Sequence, residues 1–157
     1  MKRIKLMNEN PSMIRYAPKN FKVQEFVDRE TFDKRGKRAL SVIDWRMLWT
    51  ADAIREYFDK PIIINNWHLG GDREWSGIRF ENSPYYSRFS QHSFGRALDF
   101  VIPEMSAYDV RMTIINNPNE KAFQYITALE HYDTMSWIHI DCRILIDNQE
   151  RFFVFKP

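Results

Sequence analysis

Residues 137–141 read Trp137-Ile138-His139-Ile140-Asp141, and this alternation governs how the rest of the chain must be arranged. Successive side chains of a strand point to opposite faces, so Trp137, His139 and Asp141 share one face and Ile138 and Ile140 the other. Such a strand covers a core with one face and builds a polar surface with the other. Upstream, Phe123 to His131 is a second strand candidate, although its Ala, Leu and Glu also favour helix. A hairpin around Asp133 to Ser136 would join the two. If Asp133 pairs with Ser136, Glu130 falls directly opposite His139, with Cβ atoms about 5 Å apart.

Further out lies Ser90-Gln91-His92-Ser93-Phe94-Gly95-Arg96-Ala97-Leu98-Asp99. Ala97 to Ile102 reads as a strand apart from Asp99, and a carboxylate in an apolar strand is costly to bury unless paired or bound to a metal. Gly95 allows a sharp turn between His92 and Asp99, so that both can converge on one ion. His139 is the natural third ligand. Zinc accepts this mixture of nitrogen and oxygen donors, and three protein ligands with an open fourth position is the catalytic arrangement. Glu130, beside the metal without binding it, suits a general base acting on water. Each residue also has an ordinary reading: a loop hydrogen bond for His92, an ion pair with Arg96 or a turn cap for Asp99, a satisfied core histidine for His139, solvated strand surface for Glu130. Their joint arrangement is what argues for a metal.

The remaining pattern predicts a long amphipathic helix over 42–58, where Ile43, Met47, Leu48, Ala51, Ile54 and Phe58 recur at three and four. Asn20 is expected to cap a short helix through Val27, and 28–41 to form a charged loop. Pro61 opens a β-branched strand over Ile62 to Ile64. Residues 65–91 form a long loop suited to building a cleft, in which Trp67, Trp75, Tyr85 and Tyr86 are groove candidates and His68 a turn residue. Ser106 and Asp109 begin a helix through about Asn116, and a last strand is expected over 151–155. The class is therefore α+β: a small antiparallel sheet with helices packed on one side and the metal cleft on the other. Residues 1–19 form a basic arm and residues 20–157 one domain.

With 157 residues, 44% of them hydrophobic, the chain can bury one sizeable core without disulfides. Cys142, the one cysteine, excludes an intramolecular disulfide and a cysteine-rich metal site. The formal charge of +2 names no partner. Lys2, Arg3, Lys5, Arg15, Lys19 and Lys22 gather near the start, but without the spacing of a nucleic-acid-binding motif, so no nucleic acid is expected. No apolar stretch suits a signal peptide or a membrane span. Synthesis in the cytoplasm, no membrane insertion and a monomer are the expectations.

The pattern Ser-x-His-x-x-Gly-x-Ala-x-Asp followed by Trp-x-His resembles the family of zinc D-Ala-D-Ala carboxypeptidases and L-alanyl-D-glutamate endopeptidases, most nearly its phage-type branch. It is carried by Ser90, His92, Gly95, Ala97, Asp99, Trp137 and His139, and extends over about residues 20–145 through Glu25, Ile54-Arg55, Pro61 and Gly70-Gly71. The resemblance implies a hedgehog/DD-peptidase-like fold, zinc on His92, Asp99 and His139, and Glu130 as the catalytic carboxylate. It further implies a peptidoglycan stem peptide as substrate, with action at the bacterial cell wall after holin-type release, or in a virion. The chain departs from the family in two places. After the Pro61 segment the family commonly carries a Ser-Gly-Tyr-Arg-like stretch, where this chain has Asn65-Asn66-Trp67-His68. Ser76-Gly77-Ile78-Arg79 follows later, and its Arg79 is the candidate anchor for a substrate carboxylate, with surface pairing the alternative. Ser136 stands where some relatives have an acid three residues before the last ligand, so Asp133 competes with Glu130 as base. Ser90 and Gln91 are candidates for orienting the His92 loop or touching substrate, and Asp141 for supporting His139 or pairing with Arg143. A non-catalytic zinc- or cell-wall-peptide-binding protein of the same fold is the alternative function.

Overall fold

The computed structural model describes residues 16–131, 134–146 and 151–156. Asp133, the competing base, lies outside these residues, as does most of the basic arm. The segment expected to be a loop contains a helix, α1 (Arg29–Arg35). Asp28 caps it by accepting from the Thr31 N–H at 3.0 Å and the Thr31 hydroxyl at 2.6 Å, and Lys34 pairs with Glu30 one turn back. Its charged face hides it from a reading based on apolar periodicity. The expected helix from Asn20 to Val27 is instead a single 3₁₀ turn, Val23–Glu25. The Asn20 N–H is drawn away to Asp52 at 2.9 Å, which also takes the Tyr16 hydroxyl at 2.6 Å and the Lys19 N–H at 2.7 Å.

The long helix α2 (Trp45–Phe58) starts later than its periodicity suggests, because Asp44 caps it through the Arg46 N–H at 3.0 Å. Met47, Leu48, Ala51 and Ile54 recur on one face and are buried in the core. Ile62 to Ile64 does not form the expected strand. Ile63 exchanges two backbone hydrogen bonds with Val101, at 2.9 and 3.0 Å, and the pairing stops there because the chain turns at once into the Asn65 loop. Helix α3 (Ala107–Asn116) is capped by Ser106, whose hydroxyl accepts from the Asp109 N–H at 3.0 Å, as the sequence suggests.

Four short strands, β1 (Ala97–Phe100), β2 (Ala128–Glu130), β3 (Ile138–Asp141) and β4 (Phe153–Phe155), form one sheet in the order β1-β3-β2-β4. The first two pairings are antiparallel, but β4 runs parallel to β2, so the sheet is mixed rather than antiparallel. The reason lies in the strand order. Because β1 occupies the other edge of β3, the last strand is left with the free edge of β2. Strand β3 ends beside the start of β2, with Asp141 opposite Ala128, and β4 begins at that same end, with Phe153 beside Ala128, so it runs along β2 in the same direction.

Leu98, Phe100, Leu129, Ile138 and Ile140 point from the sheet into the core, where they meet α2 and Val110 and Ile114 of α3. The opposite face carries a transverse row, Asp99, His139, Glu130 and Phe155, one residue from each strand. The register expected from a hairpin around Asp133 to Ser136, with Glu130 opposite His139, is thus the register of the fold. Arg111 on α3 is fully buried and fastens the connection between these strands. It donates to the Trp137 carbonyl at 2.8 Å, the Met135 carbonyl at 3.3 Å and His131 Nδ1 at 3.1 Å.

Candidate metal centre

His92 reaches the row from a 3₁₀ turn, Gln91–Phe94, capped by the Ser90 hydroxyl, which accepts the His92 N–H at 3.3 Å. The turn closes at Gly95, whose φ is +65° and where a Cβ would lie 2.3 Å from the Val42 carbonyl oxygen. A left-handed backbone and a close approach both require glycine there. His92 Nδ1 lies 2.7 Å from the Gly77 carbonyl, which fixes the proton on Nδ1 and turns Nε2 towards the sheet. His139 Nε2 lies 3.3 Å from Asp141 Oδ2, which likewise leaves Nδ1 as its inward atom.

The inward atoms form a triangle. His92 Nε2 lies 3.2 Å from Asp99 Oδ1 and 3.2 Å from His139 Nδ1, and His139 Nδ1 lies 2.8 Å from Asp99 Oδ1. With the outer ring nitrogens acting as donors, three lone pairs face one another in a buried space. That arrangement is repulsive unless a cation or a proton is shared among them. His92, Asp99 and His139 are thus a triad able to hold a metal ion.

The surroundings supply the charges that such a site needs. Arg79 Nη2 pairs with the other oxygen of Asp99, while its Nε donates to the Trp75 carbonyl at 2.6 Å. The backbone of Asp99 is held by Ser76, whose carbonyl accepts the Asp99 N–H at 2.7 Å. Burial alone would lift the Asp99 carboxyl, but His92 and His139 beside it hold it well below the usual carboxylate range. Burial likewise disfavours a charged His139, yet its hydrogen bonds to Asp141 and Asp99 push it up to about 9 in the metal-free protein. Asp141 is fully buried and clamped by Arg143, whose Nε lies 2.9 Å from Oδ1 and whose Nη2 lies 2.5 Å from Oδ2. Both readings of Asp141 therefore hold together: it supports His139 and pairs with Arg143.

The triad opens into a cleft of about 830 Å³, whose walls include Trp75, Tyr85, Phe89, Trp137 and Phe155 with Glu130 among them. No family model, curated protein or solved structure matches this chain.

His92, Asp99 and His139 converge, and Glu130, Arg79, Ser90 and Gln91 all line their cleft. Arg79 is committed to Asp99 rather than standing alone. Gln91 Oε1 is buried with no hydrogen-bond partner among the described residues. Trp75 and Tyr85 line the cleft, whereas Trp67 is buried and donates its ring N–H to the Val27 carbonyl at 2.9 Å. His68 sits in the 3₁₀ turn Trp67–Leu69. Sequence reasoning missed Arg73, whose guanidinium reaches the carbonyls of Ile64 at 2.8 Å and Asp99 at 3.3 Å. It also missed Phe155. Gly77 stood out only as part of the Ser76–Arg79 string; that its carbonyl orients His92, and that a Cβ there would meet the Phe26 carbonyl oxygen at 2.0 Å, had no signal of its own.

Proposed function

We propose that this protein is a zinc-dependent peptidase that hydrolyses a peptide bond in peptidoglycan stem peptides. In this reading it is a relative of the zinc D-Ala-D-Ala carboxypeptidases and L-alanyl-D-glutamate endopeptidases and shares their hedgehog/DD-peptidase-like fold. The observation that carries the reading is the triangle of His92 Nε2, Asp99 Oδ1 and His139 Nδ1, with Glu130 in register beside it on the same face. Its edges of 2.8 to 3.2 Å fit zinc, since donors at zinc distances around a tetrahedron lie roughly 3.3 Å apart. Two imidazoles and one carboxylate are also a zinc-like donor set.

Bound zinc supplies a Lewis acid that polarises the scissile carbonyl and acidifies water. The chain supplies the rest. Glu130 takes a proton from the attacking water and returns it to the leaving amine. Arg79 holds the second oxygen of Asp99, which keeps the first directed at the metal position. The aromatic walls seat the peptide and limit the access of bulk water.

Glu130→Gln tests the assignment. The variant is expected to retain a single zinc ion per chain and to lose cleavage of purified peptidoglycan by about 10²–10⁴-fold. Unchanged cleavage would show that Glu130 is not the base. Less than one zinc ion on the metal-replete wild type would end the peptidase reading. Ser136, in place of an acid before the last ligand, favours a second reading, a non-catalytic zinc or cell-wall-peptide binder. A zinc-loaded wild type that binds stem peptide without cutting it would select that reading.

A further inference from the structure

The last strand lies beyond the stretch that carries the family motifs, yet it forms one wall of the metal cleft. Its start is fastened firmly. The Arg151 guanidinium donates to the Ile126 carbonyl at 2.6 Å and the Phe123 carbonyl at 2.7 Å, and Phe152 is buried in the core. Strand β4 then pairs along β2, with the Phe153 N–H on the Thr127 carbonyl and the His131 N–H on the Phe155 carbonyl, both at 2.8 Å. This pairing puts Phe155 next to Glu130 in the transverse row.

Two contacts make Phe155 more than a filler. Its ring meets the ring of His139 edge-on, with centroids 5.9 Å apart and planes at 84°. The Arg143 guanidinium lies over the Phe155 ring, 4.4 Å from its centroid, and also within 5.7 Å of Phe153, which stacks on Phe155. Arg143 is the residue that clamps Asp141, and Asp141 sets the orientation of His139. Phe155 therefore touches the ligand ring directly and holds, through a cation–π contact, the arginine that steers it. Both contacts require an aromatic face, which an aliphatic residue of similar bulk does not offer.

We infer that Phe155 is a positioning residue for the metal site: with Arg143 it forms a brace that fixes the His139 imidazole for metal binding. The inference rests on the metal reading of the triad and is independent of whether the site cleaves anything. Partners that orient metal-bound histidines typically contribute 10–100-fold to metal affinity.

The test compares Phe155→Leu, Phe155→Tyr and Arg143→Lys in the full chain. Zinc affinity is measured by chelator competition, and the visible absorption of the cobalt-loaded protein reports ligand geometry. Phe155→Leu is expected to weaken zinc binding about tenfold and to alter the cobalt spectrum, with the melting temperature of the metal-free protein little changed. Phe155→Tyr, which keeps the ring, should stay within about twofold of wild type. Arg143→Lys, which keeps the charge but loses the planar fork, should resemble Phe155→Leu. A Phe155→Leu protein with wild-type affinity and spectrum would overturn the inference while leaving the triad standing. A loss shared equally by Phe155→Tyr would also overturn it, because packing rather than the aromatic face would then be at work. A wild type that binds neither zinc nor cobalt would remove the metal reading itself, and the inference with it.

Discussion

His139 has a carboxylate at each ring nitrogen, and the two act on it differently. Asp99 shares the inward side with His92, whereas Asp141 holds the outward side and is itself fully buried under Arg143. A metal takes the inward nitrogen's lone pair in place of a proton, and the outward carboxylate supports this by holding the remaining proton on Nε2 and making the ring a better donor. Asp141→Asn keeps the shape but weakens that hold and leaves Arg143 without its ion pair. Zinc affinity is expected to fall 10–100-fold, read by chelator competition at neutral pH. An affinity within about twofold of wild type would mean that the orientation of His139 is set elsewhere. Arg79 acts on the other ligand in a comparable way. Its pairing with Asp99 leaves one carboxylate oxygen for the His92–His139 side, a division of labour that a lone Asp99 could not enforce.

At the scale of elements, the start of α2 links the core to the His92 turn. Asp44 caps the helix, grips Arg46 through its side chain at 2.6 and 3.0 Å, and donates its N–H to the Gly95 carbonyl at 2.9 Å. Burial opposes ionisation of Asp44, but the hydrogen bonds from Arg46 outweigh it and the carboxyl is held below its ordinary range. A depressed carboxyl stabilises the fold above its unfolded pKa and ceases to do so as pH falls through the folded one. The acid limb of the stability profile should therefore steepen below about pH 4. Asp44→Asn, still a good cap, should flatten that limb because it lacks at pH 7 the contribution of the charge, and its stability should approach that of wild type in acid. Asp44→Ala should lose about 1 kcal/mol at pH 7 as well, measured by urea unfolding. Identical acid limbs in wild type and Asp44→Asn would refute the assignment.

The same elements show what was legible in the sequence. Alternation in Trp137 to Asp141 gave the face of His139, and the supposed hairpin pairing of Asp133 with Ser136 gave the register that puts Glu130 opposite it, which is the register found. The Ser106 and Asp109 cap was legible because its signal spans four residues. Helix α1 was not, since Asp28 and a Lys34–Glu30 pair hold it without an apolar stripe. The direction of β4 depends on which edge of β3 is taken by β1, a strand far upstream at Ala97–Phe100. The pairing of Arg79 with Asp99 and the place of Phe155 are likewise products of tertiary contact, with no local spacing to announce them.

For the whole molecule, the sheet separates two kinds of interior. One face is an apolar core running from Phe21 to Phe152, and the other buries His92, Asp99, His139 and Asp141 among ion pairs. Buried ion pairs contribute little net stability because desolvation offsets their attraction, so the polar face of the metal-free protein is the weaker side. A metal that binds only the folded triad changes that balance by mass action, since an unfolded chain separates residues 92, 99 and 139. Free zinc at about a hundred times its dissociation constant would add about 2.7 kcal/mol. In a chain of this length that corresponds to a rise in melting temperature of roughly 5–10 °C. The rise should be reversed by a chelator and abolished in Asp99→Asn, which keeps the volume of the ligand but loses its charge. Calcium and magnesium, which prefer all-oxygen sites with more ligands, should produce little of it at the same concentration. A melting temperature indifferent to zinc and chelator alike would mean that the triad is held by its own hydrogen bonds, with the His139–Asp99 pair taking the place assigned to the ion.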